Sequence, residues 1–318
     1  MYSAIKRATL IATAALSLSL LDLVAWAPQV GAGAMAATLS YDGKLPIVNS
    51  PGIELGAYDP SGDFKDVKGD KIEHIFIPWQ DVDLSSFGAA GEYAAAHGRS
   101  LLITVEPWSW SKERRVTSDQ LREGVLSGRY DANIATVCAA AGALRVDTTI
   151  RWAHEMDDQT GQFIWSRWPP KDYIAAYRRF VTLCKKKAPH AKFMWSPKGE
   201  SDMNEYYPGD EYVDVVGLTV FGLQQYDNDK FGHDRTFAEI LAPSYALAAI
   251  HNKPVVVAEV GDAGDAVYVQ SWAKSLTKPY PQFPKLVAVV YFDQREVHAW
   301  PHPYGLPDWR VVPSAGTQ

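Results

Sequence analysis

Short apolar runs rich in β-branched and aromatic residues recur along the chain, separated by stretches whose apolar positions follow helical spacing. That alternation predicts βα units around a parallel sheet. Eight runs read as strands: Ile53 to Tyr58, His74 to Trp79, Leu101 to Glu106, Thr148 to Glu155, Ala191 to Ser196, Val213 to Phe221, Pro254 to Glu259 and Leu286 to Asp293. Between them, Tyr173, Tyr177, Phe180 and Cys184 share one helical face, as do Phe237, Ile240, Leu241, Leu247 and Ala248. Eight strands with covering helices predict an α/β fold, a (β/α)8 TIM barrel. No internal repeat, Gly/Ser linker or charge block divides it.

The N-terminus departs from this pattern. Lys6 and Arg7 precede an apolar run from Ala8 to Leu21, followed by small residues through Ala25-Trp26-Ala27 and Ala34-Met35-Ala36. This reads as an export signal over residues 1–36, cleaved after Ala36, leaving a single catalytic domain over 37–318 in a secreted, periplasmic or envelope-facing protein. Asp22 interrupts the run before it reaches the ~20 residues of a membrane span, so no stable span is expected after cleavage. The two cysteines, Cys138 and Cys184, lack zinc-site spacing; export permits a disulfide between them, and two packed thiols are the alternative.

Composition narrows the partners. With 318 residues, 47% hydrophobic and 21% charged, the chain can bury a large core. A net charge of -6 with dispersed Lys and Arg argues against nucleic acid. Many of the 11 Trp and 16 Tyr stand beside Pro, Gly, Asp or Glu in expected loops, a distribution suited to stacking on the C–H faces of sugars.

In such a barrel the chemistry sits at the C-terminal strand ends. Four strand ends carry carboxylates: Glu106, Glu155, Glu259 and Asp293. A strand-end acid can simply cap a helix or pair with an arginine such as Arg151. Glu155 and Glu259, however, close otherwise apolar strands four and seven, from which two side chains can meet across the pore. Glycosidic hydrolysis needs such a pair, one carboxyl to protonate the leaving oxygen and one to attack the anomeric carbon. An ionised nucleophile nearby favours the protonated form of the acid.

His154-Glu155-Met156, with Arg151 ahead and Trp165 after, resembles the acid/base segment of family 26 glycoside hydrolases. Glu106-Pro107-Trp108, Tyr212 to Leu218, Ala258-Glu259-Val260-Gly261 and Asp308-Trp309-Arg310 match that family in order and spacing, over roughly residues 50 to 312. The family includes β-mannanases and mixed-linkage β-glucanases. The resemblance implies that Glu155 is the acid/base, Glu259 the nucleophile and His154 a neighbour shaping the subsite at the cleavage point. It also implies a departure. A family Tyr whose hydroxyl bonds the nucleophile is matched here by Phe221. Either that hydrogen bond is lost, with Tyr226 a possible substitute, or Phe221 forms an apolar wall suited to another substrate.

Expected substrate contacts are His154, Glu106, Arg151, Phe221, Trp108, Trp110, Trp165 and Trp168, with Trp79 a weaker candidate; His74 and Trp152 read as core. Asp157 and Asp158 lack the spacing of a calcium loop and read as a solvated loop. No cofactor or metal is expected. The reading is a retaining endo-β-glycanase acting on mannan, β-glucan or a bacterial exopolysaccharide. A catalytically weak polysaccharide-binding barrel serving an export system is the alternative, and a metal-dependent hydrolase built on His154 and Glu155 lacks further ligands. No long insertion walls off one end of the cleft, which favours endo action.

Overall fold

Eight parallel strands close on themselves in sequence order: β1 (Glu54–Tyr58), β2 (Asp70–Gln80), β3 (Ser100–Ser109), β4 (Thr148–Trp152), β5 (Lys192–Trp195), β6 (Val215–Leu223), β7 (Val255–Ala263) and β8 (Leu286–Phe292). Helices α1 (Phe87–Ala96), α2 (Ser118–Ser127), α3 (Asp131–Gly142), α4 (Pro170–Lys185), α5 (Gln224–Phe231), α6 (Phe237–Ala248) and α7 (Ala266–Ser275) intervene. The structure, a computed structural model, describes residues 43–311; the expected export signal lies outside them.

Strand alternation sorts side chains to two sides of the wall. Outward residues such as Val105, Ile150, Trp152, Val216, Leu218, Val257 and Val289 join the large core beneath the helices. Trp152, for example, stacks on Phe180 of α4 with ring centroids 5.1 Å apart. The inward residues Leu102, Met194, Val215, Val256, Ala258, Ala288 and Val290 form a separate apolar plug. The helical faces expected on α4 and α6 are the buried ones, with Ile240 and Leu247 half-buried at the margin. Cys138 of α3 and Cys184 of α4 are joined in a disulfide, which decides between the two sequence alternatives.

The strand boundaries differ from expectation where they matter most. β4 stops at Trp152 instead of reaching Glu155 because Ala153 (φ 47°) and Glu155 (φ 53°) adopt left-handed backbone, which turns the chain off the ladder. β7 instead runs four residues past Glu259, paired with β6 as far as Leu223 and Ala263. The register between them slips: Leu218 faces Val257, but Thr219 faces Glu259, so Ala258 is an extra residue. This bulge changes the phase of alternation. Ala258 lies in the interior plug and Val260 in the outer core, which sets Glu259 on the interior side opposite Thr219.

Candidate active site

The C-terminal mouth of the barrel holds a cavity of about 490 Å³. Its floor and walls come from Tyr58, Phe76, Glu106, Thr219, Phe221, Glu259 and Phe292 on the strands, and from His154, Glu155, Phe163 and Lys198 in the loops after β4 and β5. Trp108, Trp110 and Arg115 form one flank; Glu296, His298 and Trp300, from the segment after β8, form another.

Glu155 is presented by a rigid turn. Its backbone N–H donates to Ser196 O (2.7 Å), Trp165 Nε1 donates to His154 O (2.6 Å) and Tyr173 Oη donates to Ala153 O (3.2 Å). Left-handed conformations of non-glycine residues cost about 1–3 kcal/mol each and persist where surrounding structure imposes them. These three bonds impose it. The buried carboxyl accepts from Thr219 Oγ1 at 2.6 Å. Burial, and then the charge of Glu259, push its pKa up to about 7; Lys198, the Thr219 hydroxyl and Arg151 oppose the rise.

Glu259 has a different setting. Arg151, fully buried on β4, donates Nη1 to Glu259 Oε1 at 2.5 Å and lies within 3.4 Å of Thr104 Oγ1. Burial holds the Glu259 pKa above the ordinary carboxylate value, and the guanidinium limits that rise. An isolated buried carboxylate is costly, and a cation bonded directly to it favours the ionised form. Arg151 therefore supports Glu259 from below. It does not line the cavity, which corrects its expected place among substrate contacts.

Glu106 acts on the flank. Its Oε2 accepts from both Trp108 Nε1 (3.0 Å) and Trp110 Nε1 (2.6 Å), and burial raises its pKa against those bonds. Trp108 is buried under the Arg115 guanidinium, 3.7 Å from the ring centroid, whereas Trp110 is 54% exposed and offers a free face. His154 lines the cavity and is held neutral by burial, then by Arg151 and His74.

Trp165 and Trp168 are not on the wall. Trp165 is fully buried behind Phe163, stacked at 4.6 Å, and Trp168 spends its indole N–H on Ser118 and Ile164 O. Trp79 is likewise core, stacked on Tyr130. Asp157 and Asp158 are buried rather than solvated: Asp157 accepts backbone N–H groups of Lys198, Gly199 and Glu200, and Asp158 accepts Lys198 Nζ. Tyr226 packs against Trp300 and Tyr304, and the hydrogen bond to the Glu259 carboxylate comes from Arg151 instead. Phe221 stacks on Trp309 at 4.7 Å and lies against Gly261, where an added Cβ would approach the ring to 3.0 Å, so its apolar surroundings are built for it.

Several lining residues had no distinct signal in the sequence. Thr219 is two residues before Phe221, so strand alternation alone puts both on one side. Phe163 and the Glu296 to Trp300 segment lie in loops whose course no periodicity fixes.

Comparison with known proteins places this arrangement. The model of the family described as glycosyl hydrolase family 26 matches residues 110–291, more than half of the chain. Endoglucanase H of Acetivibrio thermocellus is 25% identical over 301 residues, 84% of this chain and 31% of that protein. A β-1,3-xylanase of an Alcaligenes species is 25% identical over 144 residues, 43% of this chain and 28% of that one. The chain thus spans about a third of the length of these curated relatives. Among solved structures, an endo-β-1,4-mannanase from Cellulomonas fimi superposes with a TM-score of 0.63 at 18% identity, covering 84% of this chain and 68% of that one. A GH26 β-mannanase from Bacteroides ovatus gives 0.54 at 14% identity, covering 76% and 80%. At such identities the superpositions speak for the fold alone.

Proposed function

Since the chain belongs to glycosyl hydrolase family 26, we propose that it is a retaining endo-β-glycanase in which Glu155 is the acid/base and Glu259 the nucleophile. The observation that carries this reading is the Thr219 bridge. Its backbone is in register with Glu259 while its hydroxyl holds Glu155, so two carboxyls in unlike environments border one cavity. Retention requires such carboxyls ~5–5.5 Å apart.

In the first step Glu155, protonated below its pKa of about 7, donates to the glycosidic oxygen as that bond breaks. Glu259, kept anionic by Arg151, attacks the anomeric carbon and forms a glycosyl ester. Glu155, now ionised, takes a proton from water; that water attacks the anomeric carbon and frees Glu259. Trp110 offers a stacking face for a sugar outside the cleavage point, and Glu106 fixes its angle. Phe221 presents a ring edge or face where a hydroxyl could otherwise bond, which suits an apolar sugar face.

The named relatives are an endoglucanase, a β-1,3-xylanase and an endo-β-1,4-mannanase, and the substrate proposed here is a β-linked polysaccharide of that kind or a bacterial exopolysaccharide. Reducing-end release from a panel of these polymers, with the anomer of the first product read by NMR, tests the proposal. Hydrolysis with a β-anomeric first product is expected, and binding without cleavage of any polymer would favour a carbohydrate-binding barrel. Export with removal of residues 1–36 completes the proposal, supported by the Cys138–Cys184 disulfide, a bond that persists in oxidising compartments.

A further inference from the structure

The barrel closes where its first and last strands meet, and that seam ends in carboxylates. Tyr58 pairs with Phe292, and Asp293 N donates to Tyr58 O at 2.9 Å. The next residue after β1, Asp59, folds the chain back on itself: Oδ1 accepts from Gly62 N and Asp63 N, and Oδ2 from Phe64 N. Phe64 is fully buried against Tyr291, and Arg99 holds the carbonyls of Phe64 and Lys65, so the loop is fixed from both sides. This brings Asp63 to Asp59 and Asp293, with one oxygen of each within 4.8 Å of the others.

Asp293 supplies an independent sign that this spot is built for a ligand. It is fully buried; Oδ1 accepts from Val311 N at 2.7 Å, but Oδ2 has no hydrogen-bond partner. A buried carboxylate oxygen without a donor costs free energy that proteins ordinarily avoid. Lys44, the buried ammonium in this neighbourhood, donates Nζ to the carbonyls of Asp308 and Arg310 and is attracted electrostatically by Asp262, Asp308 and Asp293.

We propose that Asp59, Asp63 and Asp293 bind a hard divalent cation of the calcium type, which clamps β1 to β8 at the mouth of the barrel. Three carboxylates and no nitrogen or sulfur donor match the preference of such ions for oxygen. Calcium accepts irregular geometry and fills its shell with water, whereas magnesium demands a near-ideal octahedron. Tyr58 and Phe292, whose rings stack at 5.3 Å, directly precede Asp59 and Asp293 and line the cavity, so the clamp fixes one wall of the cleft.

The test is calorimetric titration of chelator-treated protein with CaCl2 or MgCl2, alongside thermal melts. One calcium per chain should bind, at least tenfold tighter than magnesium, and saturation should raise Tm by roughly 5 °C. Asp63→Asn, at a half-buried position that tolerates the change sterically, should remove both the heat and the Tm shift, and Asp293→Asn should do the same. No calcium heat and no Tm shift in the unaltered protein would overturn the site. So would a calcium response that survives Asp63→Asn. An Asp63→Asn protein that melts higher than the unaltered one in chelator, with neither responding to calcium, would show that the three carboxylates share a proton instead.

Discussion

Glu155 and Glu259 are the same side chain at the mouth of one barrel, yet the chain presents them in opposite ways. Glu155 lies past the end of β4 on left-handed backbone, and its carboxyl is met by a neutral hydroxyl. Glu259 lies within β7, aimed inward by a bulge and bonded to a buried guanidinium. The difference teaches how a fold separates two identical acids. Burial and the charge of Glu259 keep a proton on Glu155 near neutrality against the pull of Lys198 and the Thr219 hydroxyl, whereas a guanidinium bonded directly to Glu259 favours loss of its proton.

The comparison breaks most severely at Glu259. Glu259→Ala should lower kcat/KM by more than a thousandfold, measured at a temperature where the variant is still fully folded because it leaves the buried Arg151 without its counter-ion, since no other carboxyl faces Thr219 from β7. If it keeps over a tenth of the activity, a deficit under ~1.4 kcal/mol, the nucleophile is elsewhere.

Arg151→Met should come next. It leaves a buried carboxylate without its cation, so stability should fall by about 3–5 kcal/mol in denaturant titrations. Because Arg151 lowers the Glu259 pKa, its loss raises that pKa, and the acidic limb of kcat/KM should move to higher pH. An unmoved acidic limb would detach Arg151 from the ionisation of Glu259.

Thr219→Val sharpens the other half. The hydroxyl favours ionised Glu155, so removing it raises the pKa of Glu155. The general acid must carry its proton, and activity is lost as pH rises through about 7. The alkaline limb should therefore shift upward by about one to two pH units, a hydrogen bond to a charged group contributing ~1.5–3 kcal/mol. A downward shift would mean that the hydroxyl accepts from the protonated acid. The smallest effect is expected from Phe221→Tyr, where activity should change less than threefold. A tenfold loss with intact folding would show that the site needs the apolar ring stacked on Trp309.

The barrel itself was legible because period-two alternation and β-branched runs record which residues face a core. The placement of Glu155 and Glu259 at the mouth was legible because each closes an apolar run of strand length, and strand ends in such a barrel meet at one face. The geometry around them was not. Nothing in Ala153 or Glu155 announces left-handed backbone, so the β4 run appeared three residues longer than the strand. Ala258 looks like any strand residue, although its extra position reorients Glu259. The Arg151–Glu259 pair joins residues 108 apart, a distance that only closure of the barrel bridges. Trp165 and Trp168 misled for the converse reason: a loop tryptophan is as apt to anchor the loop as to meet a ligand, and both are buried.

Azide rescue of the two alanine variants, with the product anomer read by NMR, tests the division of labour most directly. With an activated aryl β-glycoside, Glu259→Ala plus azide should give the α-glycosyl azide, the anion taking the space of the lost nucleophile. Glu155→Ala should still form the glycosyl ester, stall at its hydrolysis, and turn over with azide to the β-glycosyl azide. The same anomer from both variants, or no rescue of either, would contradict the assignment of a nucleophile at Glu259 and an acid/base at Glu155.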